Sequence, residues 1–282
     1  MERQNLYPLI FNNDNLVSST YNNVYKYSFP QGSIQFKKSK VAVASVSMYY
    51  STFNITAANN NNTFTIEFPV FGTLAITVPD GFYSVSALNS FIQQTLIAND
   101  LYLIDAAGDF VYHIELVENP TLYSIQQNSY AVPTALPAGF TQPAGWPGYP
   151  GVAETPQLVV SSNDFTNLIG FDSGTYPAVV QATTFSKTSD FTPQISPVQS
   201  MILTCNLVQN QLANPQTVLY AFSSGDTSFG SLIDSSPNQF SFVNVQDGNY
   251  NSIQIEFLDQ SFNKLVIQDT NLVVQLLITT ED

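Results

Sequence analysis

A catalytic site needs bases, nucleophiles or metal ligands, and this chain offers few of them at useful spacings. Its one histidine, His113, stands in the run Phe110-Val-Tyr-His-Ile-Glu-Leu116. A single imidazole cannot supply the paired-histidine ligand sets of zinc enzymes. A Ser-His-Asp arrangement stays formally open, but no Gly-x-Ser-x-Gly elbow occurs to present a serine. His113 therefore reads as an ordinary strand residue. The one cysteine, Cys205, lies in the apolar run Met201-Ile-Leu-Thr-Cys-Asn-Leu-Val208, with no basic neighbour in sequence to lower its pKa. It reads as a buried free thiol. Phosphate-cradling glycine patterns are missing. Glu67, Glu115 and Glu256 fall in strand-like runs, where two carboxylates could serve a hydrolase, although most strand acids face solvent. Asp247-Gly248-Asn249 lacks the spacing of a calcium loop and reads as a hairpin turn. The expectation is no catalytic residue, no metal, no cofactor and no enzyme.

What the chain does offer is contact surface. Only 10% of its 282 residues are charged, against about a quarter in ordinary globular domains. A surface of Asn, Gln, Ser, Thr and Tyr packs against neighbours with little charge to dehydrate. The 15 Tyr and 21 Phe exceed what one core requires. Two aromatic sets stand out as interface candidates: Tyr49, Tyr50 and Phe53 at a strand end, and Trp146 with Tyr149 among prolines. The net charge is -14, and five of the seven basic residues, Arg3, Lys26, Lys37, Lys38 and Lys40, precede residue 41. The long acidic remainder would repel a phosphate backbone. Only the N-terminal part could face nucleic acid, through Arg3, Lys37, Lys38 and Lys40; the plain alternative for those lysines is a solvated strand start.

Residues 41–46 and 272–278, the longest apolar runs, are too short to cross a bilayer. The polar opening Met1-Glu2-Arg3-Gln4-Asn5, with no apolar segment behind it, reads as a chain without a signal peptide. With the free thiol, that predicts a cytoplasmic product. The sequons at Asn54 and Asn61 then read as chance.

The periodicity is almost wholly that of strands. Residues 1–20 are Asn-rich with isolated apolar anchors (Leu6, Tyr7, Leu9, Ile10, Phe11, Leu16 and Val17), which predicts an arm that docks on something. The body is expected to begin at Tyr21, with a turn at Pro30-Gln31-Gly32 and a long strand or strand pair over 33–55. Residues 64–68 and 74–78 form the best local hairpin. One helix is predicted from a Ser84 or Ser86 cap to about Asn99, with Val85, Leu88, Phe91, Ile92, Thr95 and Leu96 recurring at helical spacing. Residues 131–156 carry six prolines and four glycines, so no sheet interior runs through them; a Pro-rich surface loop is expected. A single helical turn is expected over 164–168, ending at Gly170. Strands are expected at 201–208, 217–222, 239–245, 252–258, 264–267 and 272–278. The whole reads as one sandwich or barrel, beta-rich at both ends and interrupted in the middle.

Four stretches resemble a known family. VYKYSFPQGSIQFKKSKVAVASVSMYYSTFNIT (24–56), VPDGFYSVSALNSFIQQ (78–94) and IQIEFLDQSFNKLVIQDTNLVVQLLI (253–278) are similar to penton, or minor capsid, proteins of virophages and polinton-like viruses; NLIGF (167–171) with GTYP (174–177) adds to the likeness. The resemblance implies an all-β fold: a single jelly-roll sandwich (21–56 and 192–282) behind the 1–20 arm, with an inserted, partly helical second domain (57–191). It implies homopentamers capping the fivefold vertices of an icosahedral double-stranded DNA virus capsid, assembled in the host cytoplasm. The implied partners are the chain itself, a double-jelly-roll major capsid protein, a cement protein and, through the N-terminal region, packaged DNA. A secreted or surface carbohydrate-binding module is the alternative, because aromatic and neutral polar surface also suits sugars.

Overall fold

The computed structural model describes residues 4–195, 198 and 200–281, and the chain divides into two compact units, 1–52 with 198–282, and 53–197.

The first unit is two antiparallel sheets. In one, the order is Gln4–Phe11, Leu272–Glu281, Lys40–Tyr49, Leu232–Ser235. In the other it is Val218–Phe222, Met201–Cys205, Ser252–Asp259, Val24–Ser28. Counted along the chain, the first strand pairs the eighth, the second the seventh, the third the sixth and the fourth the fifth. The eighth then joins the third and the seventh joins the fourth. Nested hairpin pairing rolled up in this way is the jelly roll. The expected fold class is therefore present, and the topology alone establishes it.

Local sequence explains most of these strands. Ser252–Asp259 alternates strictly, with Ile253, Ile255 and Phe257 buried. The Phe257 ring meets Tyr25 edge-on at 6.1 Å. Met201–Cys205 is buried at every position, as a central strand covered on both faces must be. Leu272–Glu281 buries Leu276, Leu277 and Ile278 in succession, which alternation does not allow. Its register against Lys40–Tyr49 slips between Gln275 and Leu276, since Gln275 opposes Ser45 while Leu276 opposes Val43. A bulge of this kind re-aims the strand.

Several expectations need correcting. Residues 4–11 are not an arm outside the body; they are an edge strand paired over its whole length with Leu272–Glu281. Pro8 and the consecutive Leu9-Ile10-Phe11 hide the alternation. The body thus begins before Tyr21. Of the strand expected over 239–245 only Val243–Asn244 forms, and 264–267 contributes a single bridge, Leu258 to Lys264. Gly248–Tyr250, expected within a turn, pairs with Ile34–Phe36 instead.

The second unit has its own core. A four-stranded sheet runs Gly174–Tyr176, Gln157–Val160, Thr63–Phe68, Gly72–Thr77, and a three-stranded one runs Phe185–Thr188, Ser124–Ser129, Ile114–Asn119. The predicted hairpin is there, with Phe64, Ile66, Phe68, Leu74 and Ile76 buried. So is the helix, Val85–Ala98, whose Ser84 hydroxyl accepts the Ala87 amide at 3.1 Å. Its stripe of Val85, Leu88, Ile92 and Leu96 is buried. The Asn89 side chain accepts the Leu116 amide at 2.9 Å, satisfying a donor on the strand beneath. The helical turn Phe165–Ile169 ends on Gly170 at φ 77°, a conformation glycine adopts without steric cost.

Candidate interaction surfaces

The reactive side chains are sealed in. His113 is buried at the bend before Ile114–Asn119, and its Nδ1 lies 3.3 Å from the Tyr130 carbonyl oxygen. Phe68 and Trp146 flank the ring at 6.3 and 6.2 Å. Burial pushes its pKa down to about 4, because a charged imidazole would be stranded among apolar neighbours. Cys205 is buried and free, and burial pushes its thiol up to about 12. Neither group is placed as a nucleophile or base. Among the described residues no three His, Cys, Asp or Glu side chains converge as metal ligands, and no helix is long and apolar enough to cross a membrane.

The interface candidates separate by burial. Trp146 lies in the core of the second unit, packed edge-on against Phe68 at 6.0 Å and beside Tyr149 at 5.6 Å. It is a core residue, not an exposed anchor, because the proline-rich segment folds back over the sheet and buries its own aromatic. Tyr149 is half-buried and its hydroxyl donates to Gln142. Tyr50 is also buried, its ring 6.2 Å from Phe229. Tyr49, next in sequence, points the other way and is exposed, opposite Leu232 in the sheet. Phe53, half-buried, opens the second unit.

Of the basic candidates, Arg3 lies outside the described residues. Lys37 and Lys38 are exposed and Lys40 is half-buried. The loop that carries them is pinned through its backbone: the Lys38 amide donates to Asp247 at 2.8 Å, and the Val245 amide donates to the Ser39 carbonyl at 2.9 Å. The one ion pair among the described residues is Lys187 with Asp190. The three lysine ammonium groups are thus left for solvent or for an anionic partner.

Apolar side chains are uncovered at both edges of the first unit's first sheet. On Gln4–Phe11, Leu6, Tyr7 and Ile10 are 53%, 53% and 56% exposed. The opposite edge is Leu232–Ser235, where Leu232 is exposed, as is Phe229 three residues before it. Val243–Asn244 lies further along the same side of Lys40–Tyr49, and the loop leading to it carries Phe240 and Phe242 with their rings 6.4 Å apart. Sequence reading marked Leu6, Tyr7 and Ile10 as anchors but passed over Phe229, Leu232 and Phe240. Phe229 and Leu232 lie outside every expected strand, where only a count of apolar residues would have found them, whereas Phe240 falls within the strand expected over 239–245, of which only Val243–Asn244 forms.

Solved structures similar to the chain include two from virophages. The mavirus penton protein matches with 11% sequence identity and a TM-score of 0.47, covering 99% of this chain and 100% of that one. A chain of the Sputnik virophage structure matches with 11% identity and a TM-score of 0.41, covering 99% and 98%. No family model and no curated protein matches the sequence.

Proposed function

We propose that this protein is a structural subunit of a virus shell, a penton whose homopentamers close the fivefold vertices of an icosahedral capsid. The reading is carried by one observation: the chain builds a complete eight-stranded jelly roll and interrupts it once, between the third and fourth strands, with a unit that has its own core. That is the organisation implied by the resemblance of residues 24–56, 78–94 and 253–278 to virophage pentons. The chemistry agrees with it. The histidine and the thiol are buried, surface charge is sparse, and bulky apolar side chains remain uncovered at sheet edges. Such edges are normally blunted in a protein that stays alone.

In this role the jelly roll makes the shell contacts, with itself around the vertex and with the major capsid protein outside it. The second unit holds eleven acidic residues and a single base, Lys187, and would stand on the outer face. Lys37, Lys38 and Lys40, on the first unit, would face inward to a cement protein or packaged DNA. Light scattering on the purified protein across concentration and salt tests the reading. A species of about five subunits supports it. Failure to occupy vertices when co-expressed with the major capsid protein, judged by electron microscopy of the particles, sinks it.

A further inference from the structure

We propose that the proline-rich segment 133–153 is an acid-released strap, seated by Trp146 and loosened when His113 beneath it takes up a proton. Every residue involved belongs to the second unit, so the device is independent of the shell reading.

The segment leaves and rejoins the unit through a two-bond neck. The Val132 amide donates to the Glu154 carbonyl at 2.8 Å, and the Glu154 amide donates to the Val132 carbonyl at 3.3 Å. Thr141 adds a clasp, exchanging main-chain hydrogen bonds with Ile104 at 2.8 and 2.9 Å. Between the two ends of the neck only Trp146 and Pro150 are buried. The prolines of the segment have no amide to donate, so the seated Trp146 ring is its main anchor.

The seat is apolar but not fully satisfied. Trp146 packs on Phe68 and beside His113, and in this pair both Trp146 Nε1 and His113 Nε2 are buried without a hydrogen-bond partner. The imidazole is tolerated while neutral, with its Nδ1 proton directed at the Tyr130 carbonyl 3.3 Å away. A second proton puts a charge and an unmatched donor into the same seat. The ring borders an open cavity of about 430 Å³, lined also by Leu103, Tyr112, Pro137 and Phe140, which brings solvent up to the histidine before any unfolding.

The charged groups around the seat are engaged elsewhere. Glu67, next to Phe68, accepts the Thr73 hydroxyl at 2.7 Å. Glu115 accepts the Tyr130 hydroxyl at 2.6 Å and the Asn128 amide at 3.0 Å. Asp100 lies against Gly145, Glu154 stands in the neck, and Lys187, the unit's one base, is paired with Asp190. Burial raises the pKa of Tyr112 and Tyr149, and the Glu115 hydrogen bond raises that of Tyr130, so all three stay neutral in acid. What acts on His113 is burial, opposed by the carbonyls of Tyr130 and Ala131. Its folded pKa of about 4 lies below the ordinary 6.5, so an opening that frees the ring becomes about twentyfold more populated between pH 7 and pH 5.

Trp146 is the only tryptophan, and its fluorescence reports the seat. Acrylamide quenching should rise by about twofold or more from pH 7 to pH 4.5 with the far-ultraviolet circular dichroism unchanged, and His113→Gln should remove the rise. No rise in the wild type, an equal rise in the variant, or loss of the dichroism alongside it overturns the strap. Should the variant not fold, hydrogen exchange on the wild type decides. After correction for intrinsic rates, the Ile104 and Thr141 amides of the clasp should lose about twentyfold in protection between pH 7 and pH 5 and exchange faster than those of Val85–Ala98. Clasp and helix amides exchanging together would mean that the whole unit opens, which overturns the proposal.

Discussion

The side-chain amide of Asn54 donates to the carbonyl of Ile195, 141 residues later, at 2.5 Å. The same nitrogen donates to the Tyr83 carbonyl at 2.8 Å, and the Asn54 side-chain oxygen accepts the Tyr83 amide at 2.8 Å. One buried amide therefore ties the opening of the second unit to its close and to the segment leading into its helix. Asn61 adds a fourth bond by donating to the Asn54 carbonyl at 2.8 Å. Both asparagines of the sequons are thereby inaccessible. Replacing Asn54 with Ala leaves buried backbone groups unpaired, at about 1–3 kcal/mol each. The expected outcome is a loss of roughly 3 kcal/mol in the second unit, read as a lower urea midpoint.

His113 makes the second unit acid-sensitive. Its folded pKa of about 4 lies below the ordinary value of 6.5, so between those values the unfolded chain binds the extra proton. Stability is full above pH 6.5 and is lost as pH falls toward 4. The lowering corresponds to roughly 3 kcal/mol. Carboxylates titrate in the lower part of this window, so the measurement is a comparison: urea midpoints from pH 7.5 to 4 for wild type and His113→Gln. The variant should show the shallower slope, and equal slopes would remove His113 as the cause.

Cys205 should be inert. With its thiol pushed up to about 12 by burial, almost no thiolate exists at pH 8, and reagent cannot reach it. Titration with a thiol-specific chromogen should find less than about 5% reaction in an hour in buffer and one full equivalent in urea.

Trp146 separates a packing role from a binding one. Trp146→Ala should cost about 3–5 kcal/mol in the second unit, the ordinary loss for a buried large aromatic, and should leave the mass of the folded protein in solution the same as that of the wild type. A variant that keeps its stability but loses association would restore the tryptophan as an interface anchor.

The sequence was most legible where local patterning and tertiary role agreed. Ile253, Ile255 and Phe257 alternate because only one face of their strand is deeply buried, and the Ser84 cap with its apolar stripe defines the helix to within a residue or two. It was least legible where partners distant in sequence decide the structure. Gln4–Phe11 becomes a strand because Leu272–Glu281 offers it an edge, and no local signal announces that. Gly248–Tyr250 has turn composition yet pairs with Ile34–Phe36, more than 200 residues earlier. Burial of aromatics was equally hidden. Tyr49 and Tyr50 are adjacent, and strand geometry sends one out and the other in. Which of them is buried depends on register, and register is set by Leu232–Ser235 across the sheet.

The nested pairing has a consequence for how the protein is made. Leu272–Glu281 lies between Gln4–Phe11 and Lys40–Tyr49, so a sheet begun by the earliest residues waits for the latest ones. Every strand of the jelly roll emerges from the ribosome before its first sheet can close, and the second unit, whose strands pair among themselves within 53–197, can finish folding long beforehand. Long-range closure of this kind is slow, and until it happens the early strands are exposed to pairing with other chains. A chain that stops before residue 272 leaves Gln4–Phe11 without its partner strand.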